Sequence, residues 1–260
     1  MNISAPLGFL VGIAVVFYSL TVGMKNNSVF FNSHAAIIVI GGTLAAALIC
    51  FPIGHFMTLL KVYMRALMGR TKQETLNTIN EVVNISKSLN QGQNLAALLG
   101  AVKNPFLKES LELLEQGGLS DEELSEVLDK RIEMQNEKYK REGATYKVIG
   151  KFPPAFGLVG TSLGMIALLQ GLGEPDAFER LGPSMSIALV ATFYGLIIAN
   201  LFIIPMGEHL VTVSEDDLIM RRVVVDGVML IKEQKHPLLV EEYLKSYIPP
   251  SDRNKMAKGG

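Results

Sequence analysis

The sequence predicts an all-α integral membrane protein with four transmembrane helices, a helical cytoplasmic domain between helices 2 and 3, and a cytoplasmic C-terminal helix. Three observations support this fold class. The mean hydropathy is +0.31, only 19% of the 260 residues are charged, and four uncharged apolar stretches are each about 20 residues long. A soluble domain typically has about a quarter of its residues charged, so a membrane suits this composition better.

The four apolar stretches are long enough to cross a bilayer, because a helix rises about 1.5 Å per residue and the hydrocarbon core needs about 20 residues. They cover 3–23, 35–56, 152–172 and 184–206, and none has Asp, Glu, Lys or Arg in its interior. The single cysteine, Cys50, lies in the second stretch, where a small buried apolar side chain is expected.

The cations predict which side of the membrane each connection faces, because Lys and Arg near span ends are retained in the cytoplasm. Connections 24–34 and 173–183 carry one cation each, Lys25 and Arg180. The middle segment and the tail are rich in cations, namely Lys61, Arg65, Arg70, Lys72, Lys138, Lys140, Arg141, Lys147, Lys151, Arg221, Arg222, Lys232 and Lys235. The middle segment and both termini are therefore predicted to be cytoplasmic.

The spans divide the chain into four parts: transmembrane helices 1 and 2 over 1–56, a cytoplasmic helical domain over 57–150, transmembrane helices 3 and 4 over 151–207, and a cytoplasmic C-terminal helix and tail over 208–260. Within the cytoplasmic domain, Thr71 with Glu74 and Ser120 with Glu123 are capping-box pairs that predict helix starts. The second pair opens a long charged helix that continues into the third span. A further helix is predicted over 106–116, between Asn-Pro and Gly-Gly signals.

Most enzyme signatures are missing. The chain has no phosphate-binding loop ending in Gly-Lys-Ser/Thr, no His-Glu-x-x-His and no nucleophile elbow, and its net charge of −1 provides no basic field for nucleic acid. The histidines fall at span edges or in the tail, at His34, His55, His209 and His236, where interfacial or capping roles are expected. The sequence predicts no enzyme activity, no catalytic residues, no cofactor, no metal site and no nucleic-acid partner.

Small residues recur on one face of each of the last two spans. They are Gly157, Gly160 and Gly164 in the third span, and Ala188, Ala191, Gly195 and Ala199 in the fourth. Helices in lipid associate mainly where small residues allow the backbones to approach closely. The spacing fits packing of these two spans within one chain and packing around a partner helix equally well.

Two threonines and two prolines are the other notable residues of these spans. Thr161 and Thr192 are the most polar groups deep in the membrane, and each hydroxyl either bonds back to its own helix or faces a wet path. Pro154 and Pro205 lie near the span ends, where a missing N–H donor produces either a static kink or a hinge.

The spans lack any ionisable side chain of the kind that carries ions across membranes. A charge at the bilayer centre costs about 2.5–3.5 kcal/mol even on the lenient insertion scale, so proteins that move protons or cations usually keep a rare intramembrane acid for that purpose. If this chain conducts ions through a carboxylate, that carboxylate must come from a second polypeptide with its own membrane helix.

Six segments resemble those of one known family. They are 41–43 (GGT), 153–161 (PPAFGLVGT), 182–185 (GPSM), 188–195 (ALVATFYG), 199–200 (AN) with Pro205, and 242–250 (EYLKSYIPP). Together they resemble the A subunits of bacterial flagellar stators, the MotA/PomA proteins, within the wider MotA/TolQ/ExbB group. The resemblance covers nearly the whole chain.

The resemblance implies a bacterial inner-membrane stator in which a homo-pentamer of this chain surrounds a dimer of B subunits. Each MotB/PomB-like B subunit has one membrane helix with an Asp that accepts H+ or Na+, and a peptidoglycan-binding domain. The resemblance also implies that spans 3 and 4 line the ion path at Thr161 and Thr192, with spans 1 and 2 as an outer layer. It gives Pro154 and Pro205 a role in conformational coupling, and makes the rotor protein FliG the target of the cytoplasmic domain.

The rotor-contact region departs from the family pattern. The family places an Arg three residues before and a Glu five residues after a glycine, and alignment on Gly92 puts Leu89 and Ala97 at those positions. The nearest charged side chains, which become the candidates for rotor contact, are Lys87, Lys103, Lys108 and Glu109. This departure keeps open an alternative, a TolQ/ExbB-like energiser of gliding, envelope transport or defence.

Overall fold

The structure, a computed structural model, describes residues 4–22, 27–54, 71–173, 177–250 and 253. Every regular element among these residues is helical, which confirms the predicted all-α class. The chain forms two compact units. The first comprises Met1–Gly69 and Lys140–Val211, and the second comprises Arg70–Tyr139 and Thr212–Gly260.

Eleven α-helices are described in this part of the chain. They are α1 (Ser4–Thr21), α2 (Ser33–Ala36), α3 (Gly42–Cys50), α4 (Thr71–Asn90), α5 (Leu95–Leu98), α6 (Pro105–Gln116), α7 (Asp121–Ile149), α8 (Phe152–Gly171), α9 (Ala177–Ile197), α10 (Ile204–Lys232) and α11 (Pro237–Lys245). Two π-helical segments, Ile37–Gly41 and Ile198–Ile203, join α2 to α3 and α9 to α10. Short 3₁₀ turns cover Asn27–Phe30 and Leu99–Ala101.

Three helical runs among the described residues are long and apolar enough to cross a membrane, namely Ser33–Cys50, Asp121–Gly171 and Leu181–Lys232. They overlap the predicted second, third and fourth spans, although the helix of the second span ends at Cys50 rather than near the predicted end at 56. The predicted first span corresponds to α1, whose apolar part, Ala5–Thr21, is shorter than any of the three. Length and composition therefore support three spans, and the first span stays a prediction.

Two span boundaries differ from the sequence prediction. The long charged helix does not run unbroken into the third span, because a turn at Gly150 and Lys151 separates α7 from α8. The helix α9, which contains most of the fourth span, begins at Ala177, earlier than the predicted start at 184, and Pro183 lies inside it. A helix can hold this proline where its missing N–H and ring are accommodated locally.

Parts of the sequence prediction fall on residues outside the description. They include Lys25, Lys61, Arg65, Arg70, His55 and the side chains of Thr71, Lys72 and Arg180. The predicted membrane orientation depends on these cations, so it stays a prediction. Cys50, expected to be buried, is exposed in this chain.

In the first unit, the start of the second span is fixed to the fourth. The Tyr194 hydroxyl donates a hydrogen bond to the backbone carbonyl of Phe30, and Ser186 Oγ donates to the carbonyl of Val29 at 3.4 Å. Beside these contacts lies a small buried cluster of Ala35, Val39, Val190 and Ala191. The side chains of the fourth span thus satisfy carbonyl groups of the 3₁₀ turn, which lipid could not do.

The helix α1 packs against the π-helical segment of the fourth span. The rings of Phe9 and Phe202 stack with centroids 6.0 Å apart. Gly12 faces Leu201 so closely that a side chain at position 12 would overlap that leucine. Two consecutive residues of the fourth span, Leu201 and Phe202, are therefore occupied by α1.

The second unit has a conventional aliphatic core. Its most buried side chains, each at most 1% exposed, are Ile79, Val82, Leu107, Leu111, Leu124, Leu128, Val223, Val224, Val228, Val240 and Leu244. They come from α4, α6, α7, α10 and α11. Burial of aliphatic area at about 25 cal/mol per Å² holds these helices together.

Side-chain caps define several helix ends in the second unit. The backbone N–H of Ser120 donates to Glu123 Oε2 at 2.8 Å, and the N–H of Glu123 donates to Ser120 Oγ at 3.1 Å, which confirms this capping box. The Ser120 N–H lowers the pKa of the Glu123 carboxyl. His236 Nδ1 accepts the N–H of Leu238 at the start of α11, which confirms a capping role for this histidine.

Candidate ion-path site

The third and fourth spans meet along a seam of small residues. A Cβ added at Gly157 would lie 3.1 Å from both the carbonyl oxygen of Ala191 and the Cα of Thr192. A Cβ at Gly164 would lie 2.8 Å from the Cβ of Ala188, and Gly160 faces the Ala191 methyl group even more closely. The backbones of α8 and α9 thus approach each other as closely as glycine permits.

The remaining small residues belong to the same two spans. A Cβ at Gly195 would lie 3.0 Å from the carbonyl carbon of Pro153. Ala188 is 4% exposed, and Ala191 and Ala199 are fully buried. Packing within one chain, one of the two alternatives that the spacing left open, is therefore present in the structure. Packing of these residues against a partner helix stays a prediction, although little of their surface is left for one.

Thr161 on α8 and Thr192 on α9 meet within this seam. Their hydroxyl oxygens lie 2.5 Å apart. Thr161 Oγ1 lies 3.1 Å from the carbonyl oxygens of both Gly157 and Ala188. Thr192 Oγ1 lies 3.5 and 3.4 Å from the same two oxygens. Both threonines are half-buried, and the four oxygens form one cluster between the two helices.

The hydroxyl protons cannot satisfy every contact in this oxygen cluster. Each hydroxyl donates one hydrogen bond and accepts two, so Thr161 and Thr192 have two protons for five short contacts. The distances allow each hydroxyl a hydrogen bond back to its own helix and another across to the other helix. Whichever of these hydrogen bonds form, each hydroxyl oxygen keeps a lone pair that can accept a further bond.

The chemistry of the cluster suits a monovalent cation or a hydrogen-bonding carboxylate. Hydroxyl and carbonyl oxygens can replace part of the hydration shell of an ion. Neither Thr161 nor Thr192 titrates near neutral pH, so the cluster alone has no group that binds and releases a proton. A titratable group would have to be supplied by another chain.

The two predicted coupling prolines lie in different local settings. Pro154 is the third residue of α8, in the first turn, where an α-helix has no use for the missing N–H. Pro205 is the second residue of α10 and directly follows the π-helical segment Ile198–Ile203. Their roles in conformational coupling stay predictions. The turn at Gly150 and Lys151 and the π-helical segment Ile198–Ile203 lie beside the prolines, so the irregular backbone is not at the proline rings themselves.

The four candidate rotor-contact residues separate into two pairs. Lys87 lies 3.5 Å from Glu241, and Glu109 lies 2.9 Å from Arg131, so both already have ion-pair partners within the second unit. Within the described part of the chain, the side chains of Lys103 and Lys108 form no ion pair, and both are exposed. These two lysines are therefore the more available for a partner.

A polar network outside the spans joins α6, α7 and α10. Tyr139 Oη and Arg221 Nε each donate to Asp217 Oδ2 at 2.7 Å. The Arg221 guanidinium lies over the Phe106 ring, 4.8 Å from its centroid. Burial, together with the hydrogen bond to Asp217, raises the pKa of Tyr139 to about 12. Sequence reasoning missed this network: Asp217 and Arg221 are an i,i+4 pair on one helix, but Tyr139 and Phe106 lie far from them in sequence and carry no shared pattern.

Two polar residues of the fourth span were also missed as individual sites. Tyr194 anchors the turn before the second span through Phe30. Asn200 is an exposed amide in an apolar helix, and its Nδ2 donates to the carbonyl of Leu196 at 2.9 Å. The sequence could have identified both, since Tyr194 and Asn200 are the polar side chains between Thr192 and the end of the predicted fourth span.

The fold and the site together define a class of protein. The chain is an α-helical integral membrane protein whose last two spans form an uncharged seam with a half-buried oxygen cluster. A protein of this class that moves ions through a carboxylate must obtain that carboxylate from another chain.

Comparison with known proteins specifies the family. A profile of the MotA/TolQ/ExbB proton channel family matches residues 99–223, which include both threonines. The chemotaxis protein PomA of Vibrio alginolyticus is 28% identical over 97% of this chain and 98% of its own length. Motility protein A of Bacillus subtilis is also 28% identical, over 96% of this chain and 94% of its own length.

Solved structures agree with the sequence comparison. The flagellar MotAB stator complex from Bacillus subtilis contains a chain that is 27% identical, with a TM-score of 0.81 over 95% of this chain and 98% of that chain. The C. jejuni MotAB structure shares the fold, with a TM-score of 0.83 at 21% identity over 97% of this chain and 98% of that chain. The chain is thus similar to members of the MotA/TolQ/ExbB proton channel family along nearly its whole length.

Proposed function

We propose that this chain is the A subunit of a flagellar stator, which with a B subunit forms an ion channel that couples cation influx to rotation and torque on the flagellar rotor. The Thr161–Thr192 oxygen cluster carries this proposal, because it lies in spans that have no carboxylate of their own. Alignment with PomA and motility protein A over nearly the full chain supports the flagellar assignment.

The B subunit would supply the missing titratable group. We propose a MotB/PomB-like partner with one membrane helix that bears an Asp, and a peptidoglycan-binding domain that holds the complex in place. Thr161 and Thr192 would then face that carboxylate, donating hydrogen bonds when it is charged and releasing them when the ion binds. Two carboxylates in a five-fold ring of A subunits would meet successive threonine pairs as the ring turns.

The driving energy would come from the membrane potential, which is worth about 2.3 kcal/mol per charge per 100 mV. The transported ion is H+ or Na+, since a hydroxyl can line either path. In this assembly the chain lies in the bacterial inner membrane with both termini in the cytoplasm.

The second unit would transmit the motion to FliG on the rotor. Lys103 and Lys108 are the proposed contacts, because Lys87 and Glu109 are engaged within the unit. The names of the relatives favour this flagellar role over a TolQ/ExbB-like energiser of gliding, envelope transport or defence.

A gene deletion tests the proposal at the level of the cell. In a strain without a second stator, deletion should leave assembled filaments that do not rotate, and the wild-type gene should restore rotation. Normal swimming after deletion would refute the stator role. Copurification of a partner resembling TonB or TolA, rather than one with a peptidoglycan-binding domain, would favour the energiser instead.

Substitution of the threonines tests the site. Thr161→Val and Thr192→Val remove a hydroxyl at nearly constant shape, and each should lower ion flux and rotation rate about tenfold, the effect of one lost interaction with a charged group. Ser162→Ala is the matched control, because Ser162 is exposed one residue away and, among the described residues, its hydroxyl bonds only to the Leu158 carbonyl. Equal effects at positions 161 and 162 would argue against the proposed site.

A further inference from the structure

We propose that the π-helical segment Ile37–Gly41 of the second span is a two-state joint, and that the Thr43 hydroxyl gains a hydrogen bond only in the second state. The structure shows the first state. In the second state the wide π turn has moved along the helix, and the residues before Thr43 are α-helical. The mechanical role of this joint rests on the proposed function, whereas the rearrangement itself is a property of this chain.

The hydroxyl oxygen of Thr43 is buried and has no hydrogen-bond partner in the described part of the chain. Such a group is unfavourable, because its bonds to water are lost on folding and are not replaced. Other hydroxyls in the helices of this chain avoid the loss by donating to the carbonyl four residues earlier. They include those of Ser19, Thr78, Ser110, Thr145, Thr161 and Ser162.

The π-helical segment explains why Thr43 differs from these residues. The carbonyl four residues before Thr43 is that of Val39, which lies inside the segment. This carbonyl accepts the N–H of Gly42, and the same N–H also donates to the carbonyl of Ile38. The wide turn therefore displaces the acceptor that a regular α-helix would offer to the Thr43 hydroxyl.

No group outside this chain can supply the missing hydrogen bond in the first state. The oxygen is enclosed by atoms of this one chain, so neither lipid nor another polypeptide can reach it. The enclosure also excludes a water molecule, which needs room of its own and two to four polar partners. The Thr43 hydroxyl can therefore be satisfied only if the backbone around it rearranges.

The segment lies between attachments to two different spans. Before it, Tyr194 of the fourth span is bonded to the carbonyl of Phe30. After it, Gly42 lies directly against the ring of Phe156 in the third span. A Cβ at Gly41 would meet nothing within 4 Å, so the backbone between the two attachments has space to move.

A shift of the π turn would change the distance between these attachments without breaking either. It exchanges hydrogen-bond partners by one residue and moves the backbone by about 1.5 Å along the helix axis. Register shifts of this kind take microseconds to milliseconds. In the proposed stator, the joint would let the second span follow the third while it stays bonded to the fourth.

Thr43→Val tests the rearrangement in the stator complex purified from membranes. Val keeps the shape of Thr without the hydroxyl, so the first state loses its unpaired group and the second state loses its hydrogen bond. The variant should unfold at a temperature about 2–4 °C higher than wild type. Its amides over 37–43 should exchange with deuterium at least about fivefold more slowly.

Thr145→Val is the matched control, because Thr145 is buried in the same unit and its hydroxyl already donates to the Arg141 carbonyl at 2.8 Å. This control should unfold at or below the wild-type temperature. Thr43→Ser, which keeps the hydroxyl, should retain wild-type exchange. The joint is refuted if Thr43→Val unfolds at or below the wild-type temperature, fails to fold, or keeps wild-type exchange over 37–43.

Rotation of cells that carry Thr43→Val separates the joint from the proposed function. Rotation should slow about fivefold, because the joint is held in the first state, and Thr43→Ser should restore it. If wild-type cells do not rotate, the proposed function fails, while unfolding and exchange still decide whether the joint exists. If wild type and Thr43→Val rotate at the same speed, the mechanical role of the joint is wrong.

Discussion

The two compact units of this chain are stabilised by different means. In the first unit, α8 and α9 are held by glycines and alanines in backbone contact and by the oxygen cluster of Thr161 and Thr192. In the second unit, the helices are held by fully buried Leu, Val and Ile side chains and by charged networks such as Tyr139–Asp217–Arg221. Lipid removes the hydrophobic driving force between spans, so close backbone approach replaces large apolar side chains there.

Under the proposed function, these two kinds of packing suit two different tasks, ion passage in the first unit and transmission of force in the second. In the proposed stator, the seam of the first unit would present neutral oxygens that a cation can pass without being trapped by a fixed charge. The second unit fixes its helices with interlocking side chains, which transmit strain with little compression. Substitutions in each unit should therefore fail for different physical reasons.

The largest effect is expected from a cavity in the second unit. Leu128→Ala should lower the free energy of unfolding by about 2–5 kcal/mol, because Leu128 is fully buried and its removal leaves a void. Thermal unfolding of the purified chain in detergent, followed by circular dichroism, measures the change. The adjacent Val127, which is 37% exposed, provides the control Val127→Ala. Similar losses at both positions would contradict the aliphatic-core description.

In the first unit, we expect stability to be lost when a substitution adds volume between the helices rather than when it removes volume. Gly195→Ala should cost about 1–3 kcal/mol, because its Cβ would lie 3.0 Å from a backbone carbon of Pro153, which cannot move as a side chain can. Gly182→Ala on the same helix is the control, since nothing lies within 4 Å of a Cβ there. A tolerated Gly195→Ala with full motility would show that the seam opens easily.

A smaller effect is expected from a helix cap in the second unit. Asn104 Oδ1 accepts the N–H groups of Phe106 and Leu107 at the start of α6, and Nδ2 donates to Thr78 Oγ1 at 2.8 Å. Asn104→Ala should therefore cost about 1–2 kcal/mol. Asn94→Ala removes a comparable cap from the four-residue α5 and should cost less. Chemical denaturation of the two variants side by side decides the order.

The smallest effect is a pH dependence near Tyr139. Its pKa is raised from 10.0 to about 12 by burial and by Asp217, so the folded state holds the phenol proton more tightly than the unfolded state does. The resulting stabilisation is fully present below pH 10 and is lost as the pH rises through 12. Between these values wild type should lose more stability than Tyr139→Phe, which has no proton to release. Parallel pH profiles of the two proteins would refute this assignment.

The sequence by itself determined the helical class, the apolar stretches and the absence of a carboxylate from their interiors. These follow from composition and periodicity, which local residues express regardless of their surroundings. The Ser120–Glu123 capping box and the helix over 106–116 were predictable for the same reason, since their partners are near in sequence.

Only the tertiary structure decided which surfaces the polar groups share. Thr161 and Thr192 are 31 positions apart, and spacing alone could not place their hydroxyl oxygens 2.5 Å from each other. Likewise the structure showed that the small residues face each other within the chain, that Lys87 and Glu109 are paired, and that the buried Thr43 hydroxyl has no hydrogen-bond partner among the described residues. Such contacts depend on helix rotation and depth, which are fixed by packing between distant segments and leave no periodic signal in the sequence.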